Sequence, residues 1–240
     1  MAETIVFIPA LNEEQSLPAV LAELRAGLPE CDVLVVDDGS TDATADVARA
    51  SGAAVVSFGE NRGLREGVAA GYRYAHEHAY TFAGRVDADG QHPVEELRRL
   101  LELVRAGECD VAIGSRFAVG DGYEAARYEP SPSRRFGTAV LRRAMRAVLG
   151  RPFHDATSGM YAVNANAMPV RAEPYESGAP DVESVLRLRH AGLRVDEIPV
   201  HMRERAIGKS RLRSRRALEL VLTVAGTLLL YGLWRRYRRR

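Results

Sequence analysis

The amino-acid sequence predicts an α/β protein with a mostly parallel β-sheet. Five short apolar runs, rich in β-branched residues, occur in the first half of the chain, and longer segments of helical periodicity alternate with them. Such alternation is typical of right-handed strand–helix–strand units, whose helices cover a parallel sheet. With 240 residues the chain is long enough for one large domain and an appendage.

Each element is predicted from its local pattern. Apolar runs bounded by turn-forming residues predict strands, and apolar positions spaced three and four residues apart predict helices. The predicted strands are 5–8, 33–36, 53–58, 82–86 and 111–114, followed by strands near 160–163 and 195–199. The predicted helices are 14–27, 42–50, 63–78 and 93–106, a basic helix over 134–151, and a helix over 181–191.

Charge is divided unevenly along the chain. Residues 1–120 hold 10 Arg and 20 Asp or Glu, whereas residues 121–240 hold 23 Lys or Arg and 12 Asp or Glu, so the halves carry net charges near −10 and +11. We expect the acidic half to bind a cation and the basic half to meet phosphates or an anionic membrane. The sequence lacks the dinucleotide and Walker-type glycine motifs, which argues against dehydrogenases and phosphate-loop kinases.

Two features indicate a reducing, cytoplasmic environment. Cys31 and Cys109 have neither metal-binding nor disulfide spacing, so we expect both to be reduced apolar fillers. No secretory signal precedes the first predicted strand, which begins at Thr4. We therefore expect the catalytic domain to face the cytoplasm.

Two loops rich in aspartate follow predicted strands. The first runs over 37–40 (Asp-Asp-Gly-Ser), and the second, the acidic loop, runs over 87–92 (Asp-Ala-Asp-Gly-Gln-His). Asp-Gly sequences are common turn formers, so either loop alone would more often be a turn than a site. Both follow apolar strands, however, and open α/β sheets bind ligands at the carboxyl ends of their strands. The spacing of Asp87, Asp89 and Gln91 places three oxygen ligands on one side of an extended segment, which predicts a diphosphate–metal site.

Six motifs stand in the order seen in family 2 glycosyltransferases of the GT-A fold. They are Ile-Pro-Ala-Leu-Asn-Glu-Glu at 8–14, Asp-Asp-Gly-Ser-Thr-Asp at 37–42, Asn-Arg-Gly at 61–63, the acidic loop, Gly-Ser-Arg at 114–116 and Asp-Ala-Thr-Ser-Gly at 155–159. The chain most resembles the branch of dolichol phosphate mannose synthases and polyprenyl phosphate sugar transferases. The resemblance covers residues 4 to about 212.

The resemblance implies a GT-A domain over 1–212, with a nucleotide-sugar half over about 1–117 and an acceptor half over about 118–212. It assigns a group of residues to the donor nucleoside pocket: Pro9, Ala10, Asn12, Glu13, Asp37, Asp38 and Gly63. Asp87 would lie near the ribose and the metal, and Asp89 and Gln91 would be the metal ligands proper. The implied cofactor is Mg²⁺ or Mn²⁺.

The resemblance also assigns phosphate contacts and catalytic residues. Arg205 and Lys209 lie in a segment that resembles the family's late basic loop, where they would clamp the donor phosphates, although its Gly-Lys-Ser sequence also suits a surface turn. Arg116, at the end of its predicted strand, would be a second phosphate contact. Asp181 stands at the spacing of a family general base, although Pro180 replaces the Glu that usually precedes it. The predicted catalytic residues are Asp89, Asp155, Asp181 and Arg116. A phosphate acceptor needs no strong base, so Asp155 and Asp181 would either orient it or bind only Thr157 and the local backbone.

The basic half contains two candidate membrane segments. Residues 134–151 predict a basic amphipathic helix, which suits a membrane interface and also an ordinary domain surface. Residues 213–240 predict a hydrophobic helix with an Arg-rich tail, and 220–234 carries no charge. Three interpretations of this helix stay open: a short transmembrane anchor, a helix lying in the cytoplasmic leaflet, and a soluble dimer helix. Residues 118–133 form a long connection that is either a lid or an ordinary loop.

We therefore expect a metal-dependent inverting glycosyltransferase at the cytoplasmic face of the cell membrane, peripheral or single-pass. It would move a hexose from a nucleotide sugar of the GDP-mannose or UDP-glucose type to polyprenyl phosphate. Two alternatives stay open: a family 2 enzyme with a soluble or saccharide hydroxyl acceptor, which would need Asp181 as a true base, and an inactive nucleotide-binding membrane scaffold. The sequence leaves open a homo-oligomer or a small membrane protein partner. Nucleic acid is not an expected partner, because no base-stacking platform accompanies the Arg-rich tail.

Overall fold

The computed structural model describes residues 2–118, 120, 146, 153–155, 158–173 and 180–203. Several sequence predictions fall outside those residues: nearly all of the connection 118–133, the helix over 134–151 apart from Arg146, the basic loop with Arg205 and Lys209, and the helix over 213–240. The predicted division into a domain over 1–212 and a C-terminal helix stays a prediction.

The described residues form seven strands and six helices. The strands are β1 Thr4–Ala10, β2 Asp32–Asp37, β3 Ala54–Ser57, β4 Phe82–Arg85, β5 Val111–Ser115, β6 Tyr161–Asn164 and β7 Val195–Pro199. The helices are α1 Leu17–Gly27, α2 Thr44–Ala50, α3 Leu64–Glu77, α4 Val94–Arg105, α5 Met168–Ala172 and α6 Pro180–His190. The strands and helices predicted within the described residues are confirmed to within a few residues, and α5 is an addition to them.

Helix α1 begins later than its pattern predicts, at Leu17 rather than at residue 14. The backbone N–H of Glu13 donates to Thr44 Oγ1 over 2.9 Å, and that of Glu14 donates to Asp42 Oδ2 over 3.2 Å. These bonds hold residues 13 and 14 in a turn against the start of α2, so the helix starts only after that turn.

One mixed sheet organises the fold, with strand order β3-β2-β1-β4-β6-β5-β7. All neighbouring strands are parallel except at β6, which runs antiparallel to both β4 and β5. The predicted mostly parallel α/β sheet is therefore confirmed. Strands β2 and β3 lie on one side of β1 and β4 on the other, so the strand order reverses between β1 and β4. Crevices at such switch points are where open α/β sheets bind ligands.

Apolar layers cover both faces of the sheet. Phe7 of β1 joins a layer with α3, α5 and α6, whereas Val6 and Ile8 join the layer formed with α1, α2 and α4. Alternate residues of β1 thus enter different layers, and all seven are buried. A strand that is buried on both faces is expected to read as a continuous apolar run, which is how β1 stands in the sequence.

A search of the described residues for a membrane-crossing segment finds no helix with the necessary length and apolar character.

Candidate active site

The loops that follow β1 and β2 are joined by reciprocal hydrogen bonds. The backbone N–H of Asn12 donates to Ser40 Oγ over 3.0 Å, and that of Thr41 donates to Asn12 Oδ1 over 2.8 Å. Asn12 has a φ of 55°, a left-handed conformation that asparagine tolerates better than most residues. Pro9 and Ala10 are buried at the end of β1. The structure therefore brings together the residues predicted for the nucleoside pocket on these two loops.

Asp37 and Asp38 use their carboxylates to hold the backbone around the carboxyl end of β2. Asp37 accepts hydrogen bonds from the Ser40 backbone N–H at 3.0 Å and from Ser57 Oγ at 2.7 Å. Asp38 accepts from the backbone N–H groups of residues 62 and 63, at 2.7 and 2.9 Å, and so fixes the turn that starts α3. Both side chains are buried. Direct contact of either aspartate with a nucleoside stays a prediction.

The acidic loop leaves the carboxyl end of β4 as a tight turn. Asp89 Oδ1 accepts from the Gln91 backbone N–H over 3.1 Å, and Gly90 between them has a φ of 74°. An aspartate that bonds the backbone two residues later, with glycine at positive φ, is a common turn arrangement. The turn holds Asp89 and Gln91 on adjacent parts of one loop. Asp89 is largely buried.

Asp87 is fixed by contacts on three sides. Arg85 Nη2 donates to Asp87 Oδ1 over 3.1 Å. Gly159 lies so close that an added Cβ would stand 2.6 Å from Asp87 Cγ, which no real Cβ tolerates. The Asp87 backbone N–H donates to Nδ1 of His92 over 2.9 Å. The carboxylate nevertheless remains 35% exposed, so a ligand can reach it.

His92 is the buried last residue of the acidic loop and bonds back to its first residue, Asp87. Its ring is buried, and its Nδ1 accepts from the backbone, so the neutral ring carries its proton on Nε2. Burial lowers the pKa of His92, an effect that Arg85 and Arg116 reinforce and that the carboxylates of Asp87 and Asp89 oppose. We infer that His92 is a neutral structural member of the loop.

Arg116 is held by Asp155 across the site. Its Nε donates to Asp155 Oδ2 over 2.8 Å, its Nη2 donates to Oδ1 over 2.9 Å, and its backbone N–H donates to Oδ2 over 3.2 Å. Asp155 is 1% exposed, and its own backbone N–H donates to Glu197 Oε1 of β7 over 2.7 Å. The side chain of Arg116 is one-third exposed. Asp155 therefore positions Arg116 as a cation at the ends of β5 and β7.

The chain after β7 returns to the acidic loop. The Arg203 backbone N–H donates to the Gln91 carbonyl oxygen over 2.9 Å, and Gln91 Nε2 donates to the Arg203 carbonyl oxygen over 3.2 Å. The Arg203 guanidinium forms two bonds to the Glu23 carboxylate, at 2.6 and 2.9 Å, which raises the pKa of Arg203 and lowers that of Glu23. Glu23 also accepts from the Val94 backbone N–H at the start of α4. These bonds hold residue 203 against the acidic loop and against Glu23 of α1.

The residues predicted to bind metal offer a partial ligand set. Within the described part of the chain, no three or more His, Cys, Asp and Glu side chains converge as a metal site. The acidic loop supplies two carboxylates, Asp87 and Asp89, together with the amide oxygen of Gln91, whose nitrogen is engaged by Arg203. Hard oxygen donors of this kind suit Mg²⁺ or Mn²⁺, which commonly complete their coordination with substrate phosphates and water. The residues therefore fit a cation that binds together with a diphosphate.

Three predicted residues are not placed by the described structure. The backbone of Asp181 lies in the first turn of α6, and its side chain falls outside the described residues, as do Arg205 and Lys209. Four further residues contribute to the site without having been predicted: Arg85, His92, Gly159 and Glu197. His92 and Gly159 belong to recognised motifs, so the motifs mark them, whereas Arg85 and Glu197 lie inside strands and carry no local signal.

Comparisons with known proteins identify the family of the chain. A family model described as glycosyl transferase family 2 matches residues 5–168. The chain is 34% identical over 228 residues to an undecaprenyl-phosphate mannosyltransferase of Micrococcus luteus, with 92% of this chain and 91% of that protein covered. It is 31% identical over 236 residues to a polyprenol monophosphomannose synthase of Mycolicibacterium smegmatis, with 92% and 85% covered.

The fold is also found among solved structures. Glucosyl-3-phosphoglycerate synthase from Mycobacterium tuberculosis, in complex with Mn²⁺, UDP-glucose and phosphoglyceric acid, matches with a TM-score of 0.68 and 22% identity, and the match covers 95% of this chain and 79% of that chain. This similarity shows a shared GT-A-like fold. The family match and the two long alignments confirm the resemblance read from the six motifs, and the chain therefore belongs to glycosyl transferase family 2 and is a glycosyltransferase.

Proposed function

We propose that this protein transfers a mannosyl group from a nucleoside diphosphate sugar to polyprenyl phosphate, with inversion at the anomeric carbon and with the help of a divalent cation. The observation that carries the proposal is the similarity, over 92% of the chain, to two relatives whose names describe mannose transfer to polyprenyl phosphates. The GDP-mannose type of donor is therefore favoured over the UDP-glucose type.

The donor would lie across the carboxyl ends of β1, β2 and β4. The loops after β1 and β2, which are linked by the hydrogen bonds of Asn12 with Ser40 and Thr41, would hold the nucleoside. The acidic loop lies beside them at the end of β4, the strand next to β1. Asp87 would face the ribose and the cation, and Asp89 and Gln91 would hold the cation on the diphosphate.

When bound, a divalent cation would supply Lewis-acid stabilisation of the charge on the departing diphosphate. In the related fold of glucosyl-3-phosphoglycerate synthase, Mn²⁺ is bound together with UDP-glucose, which supports a cation in the same role here. Asp87, Asp89 and Gln91 would hold it, while Arg116 contributes a fixed positive charge on another side of the site.

The hydrogen bonds between Arg116 and Asp155 are compatible with a phosphate acceptor. Asp155 is buried, and each of its carboxylate oxygens accepts a hydrogen bond from Arg116, so it is poorly suited to remove a proton from a hydroxyl group. A phosphate monoester has its second pKa near about 6, so the acceptor is already a nucleophile at neutral pH. One direct displacement at the anomeric carbon then completes the transfer. The Arg116 guanidinium would bind the acceptor or donor phosphate.

We further propose that the reaction takes place at the cytoplasmic face of the membrane. The support is the chemistry of the acceptor, whose polyprenyl tail stays in the bilayer, and the positive charge of residues 121–240. A basic surface is attracted to anionic headgroups at about 1 kcal/mol per arginine close to the membrane. A second copy or a small membrane protein remains a candidate partner.

A matrix of donors and acceptors tests the proposal. Purified full-length protein is incubated with GDP-mannose or UDP-glucose, with and without undecaprenyl phosphate, and nucleotide release and lipid-linked sugar are measured. We expect release to require both GDP-mannose and the lipid phosphate. Turnover with a soluble hydroxyl acceptor and none with the lipid would replace the proposal with the alternative acceptor class.

The variant Asp181→Asn separates the two acceptor classes independently. A general base typically contributes about 10²- to 10⁴-fold, and a lipid phosphate needs no such base. We expect the variant to keep appreciable activity on lipid phosphate. A loss above about a thousandfold in a well-folded variant would instead assign Asp181 as a true base for a hydroxyl acceptor.

A further inference from the structure

We propose that Arg85 is a positioning residue, which holds the Asp87 carboxylate in the orientation that the acidic loop needs to bind the cation and the donor. The inference rests on the proposed function, because it takes Asp87 as a ligand of the donor complex. Arg85 is the last residue of β4, and its Nη2 donates to Asp87 Oδ1 over 3.1 Å. The bond joins the interior of the sheet directly to the site.

Burial distinguishes this ion pair from a surface contact. The Arg85 side chain is 4% exposed, whereas that of Asp87 is 35% exposed. Moving a guanidinium out of water costs free energy unless it is paired and hydrogen-bonded. A buried arginine at this position therefore differs from a surface arginine, which only contributes to solubility. The exposed carboxylate is therefore held by a partner that the protein core keeps in place.

Aromatic rings in the core determine where the Arg85 guanidinium lies. Arg85 is paired with Tyr161 across β4 and β6, and its Cζ lies 5.9 Å from the centre of that ring. Arg171 of α5 stacks on the same ring at 4.0 Å and on Tyr72 at 4.6 Å. Tyr72 in turn packs edge-on against Phe7 of β1. Cations over aromatic faces are attracted by the ring quadrupole, most strongly where water is excluded.

Two other contacts restrict the same aspartate. Gly159 lacks the Cβ that would stand 2.6 Å from Asp87 Cγ, so the carboxylate packs against bare backbone just before β6. The Asp87 backbone N–H is held by His92. The backbone, Cγ and Oδ1 of Asp87 are therefore all constrained by neighbouring groups. Groups that orient the ligands of a metal typically affect its affinity by about 10- to 100-fold.

The sharpest test separates orientation from charge. Removing the positive charge of Arg85 would by itself strengthen cation binding at Asp87, because a repulsive charge is lost. Loss of the orientation of the Asp87 carboxylate would instead weaken cation binding. Arg85→Lys keeps the charge and removes the planar fork of donors, so it reports orientation. Gly159→Ala disturbs the same carboxylate from another side without changing any charge. Arg171→Lys is the matched control, because it makes the same substitution in a buried arginine on the same Tyr161 ring.

The experiment measures binding rather than turnover. Mn²⁺ binding to the full-length protein is followed by electron paramagnetic resonance, alone and with GDP or UDP in separate titrations, and thermal unfolding of each variant is recorded. We expect Arg85→Lys and Gly159→Ala each to weaken Mn²⁺–nucleotide binding about tenfold, and Arg171→Lys to weaken it less than about twofold at a similar unfolding temperature. Equal losses in Arg85→Lys and Arg171→Lys would show that Arg85 is only a core residue.

A double-substitution cycle removes the remaining ambiguity. If Arg85 acts through Asp87, then Arg85→Lys should have little further effect on binding once Asp87→Asn is present. The same loss in both backgrounds would overturn the inference. If the wild-type protein binds Mn²⁺ with neither nucleotide, the metal-dependent function itself is refuted. The variants, in contrast, test only the role of Arg85.

Discussion

Asp155 accepts three hydrogen bonds from Arg116, one from the backbone and two from the guanidinium. The pair joins the end of β5 to the segment before β6, and Glu197 of β7 supports it by accepting the Asp155 backbone N–H. The Asp155 carboxylate thus holds the Arg116 guanidinium through both of its oxygens. We therefore propose that Asp155 orients Arg116 and does not act as a proton acceptor.

Arg116→Lys and Asp155→Asn should therefore impair the same step. Lysine cannot form the paired contact, and asparagine removes the charge that fixes the guanidinium. A hydrogen bond to a charged group contributes about 1.5 to 3 kcal/mol, so we expect each variant to lower kcat/KM for the lipid phosphate about 10- to 100-fold. Steady-state kinetics with the acceptor varied check this. Effects that simply add in the double variant would contradict a shared role.

Asp89 should be essential for transfer because it is the second carboxylate of the acidic loop. A Lewis acid contributes several kcal/mol, so we expect Asp89→Ala to lower turnover about a thousandfold or more, and a chelator to do the same to the wild type. Asp89→Asn is the matched control for folding, since its amide oxygen can still accept the Gln91 backbone N–H that Asp89 Oδ1 now accepts. Circular dichroism and metal titration of both variants complete the experiment. Full activity of Asp89→Ala, or of the chelated enzyme, would refute the metal assignment.

Asp110 should make the stability of the protein sensitive to acid. The Arg194 side chain donates to both of its oxygens, and this bonding is the main reason why the pKa of Asp110 lies below 3.8. Because the folded-state pKa is depressed, the contribution to stability is complete above the unfolded value and is lost as the pH falls through the folded value. The difference in unfolding free energy between the wild type and Asp110→Asn should be larger at about pH 7 than at about pH 3. Denaturant unfolding at the two pH values measures it.

The exposed pair of Asp46 and Arg49 provides the control for this experiment. Surface ion pairs contribute little, so Asp46→Asn should unfold like the wild type at both pH values. A difference for Asp110→Asn that stays constant with pH would show that its contribution is packing rather than charge.

The sequence predicts well those features that are written in local patterns. Strands β1, β2 and β5 are buried over most of their length and appear as apolar runs, whereas the edge strands β3 and β7 are partly exposed. The acidic loop keeps its predicted ligands within five residues of one another. The antiparallel direction of β6 is different in kind. A strand buried on both faces has the same apolar pattern in either direction. Only the register between β4 and β6, in which Arg85 pairs with Tyr161, reveals that β6 runs antiparallel to β4.

The contacts that give the site its geometry join distant parts of the chain. Arg116 and Asp155 are 39 residues apart, and Gln91 and Arg203 are 112 residues apart, so no periodicity in the sequence connects them. Arg85 is harder still to predict, because an arginine at the end of a strand is usually exposed and here it is buried. The chemistry of the site was accessible from motifs, whereas its rigidity depends on long-range pairing.

The last prediction concerns residues 215–240, whose sequence suggests a membrane-associated helix with an Arg-rich tail. Truncation after Ser214 should release much of the protein from anionic liposomes, because it removes both the apolar helix and its flanking arginines. Binding of Mn²⁺ and nucleotide should change little, since the described contacts of the acidic loop are made by residues up to 203. Liposome flotation at several salt concentrations measures the first effect, and any binding that remains should decrease with salt as arginine–headgroup attraction is screened.

A control variant with the five arginines of 235–240 changed to glutamine separates the tail charge from the apolar helix. If the full-length protein, without detergent, stays monomeric and unbound to anionic liposomes at low salt, the proposed lipid acceptor loses its main physical support.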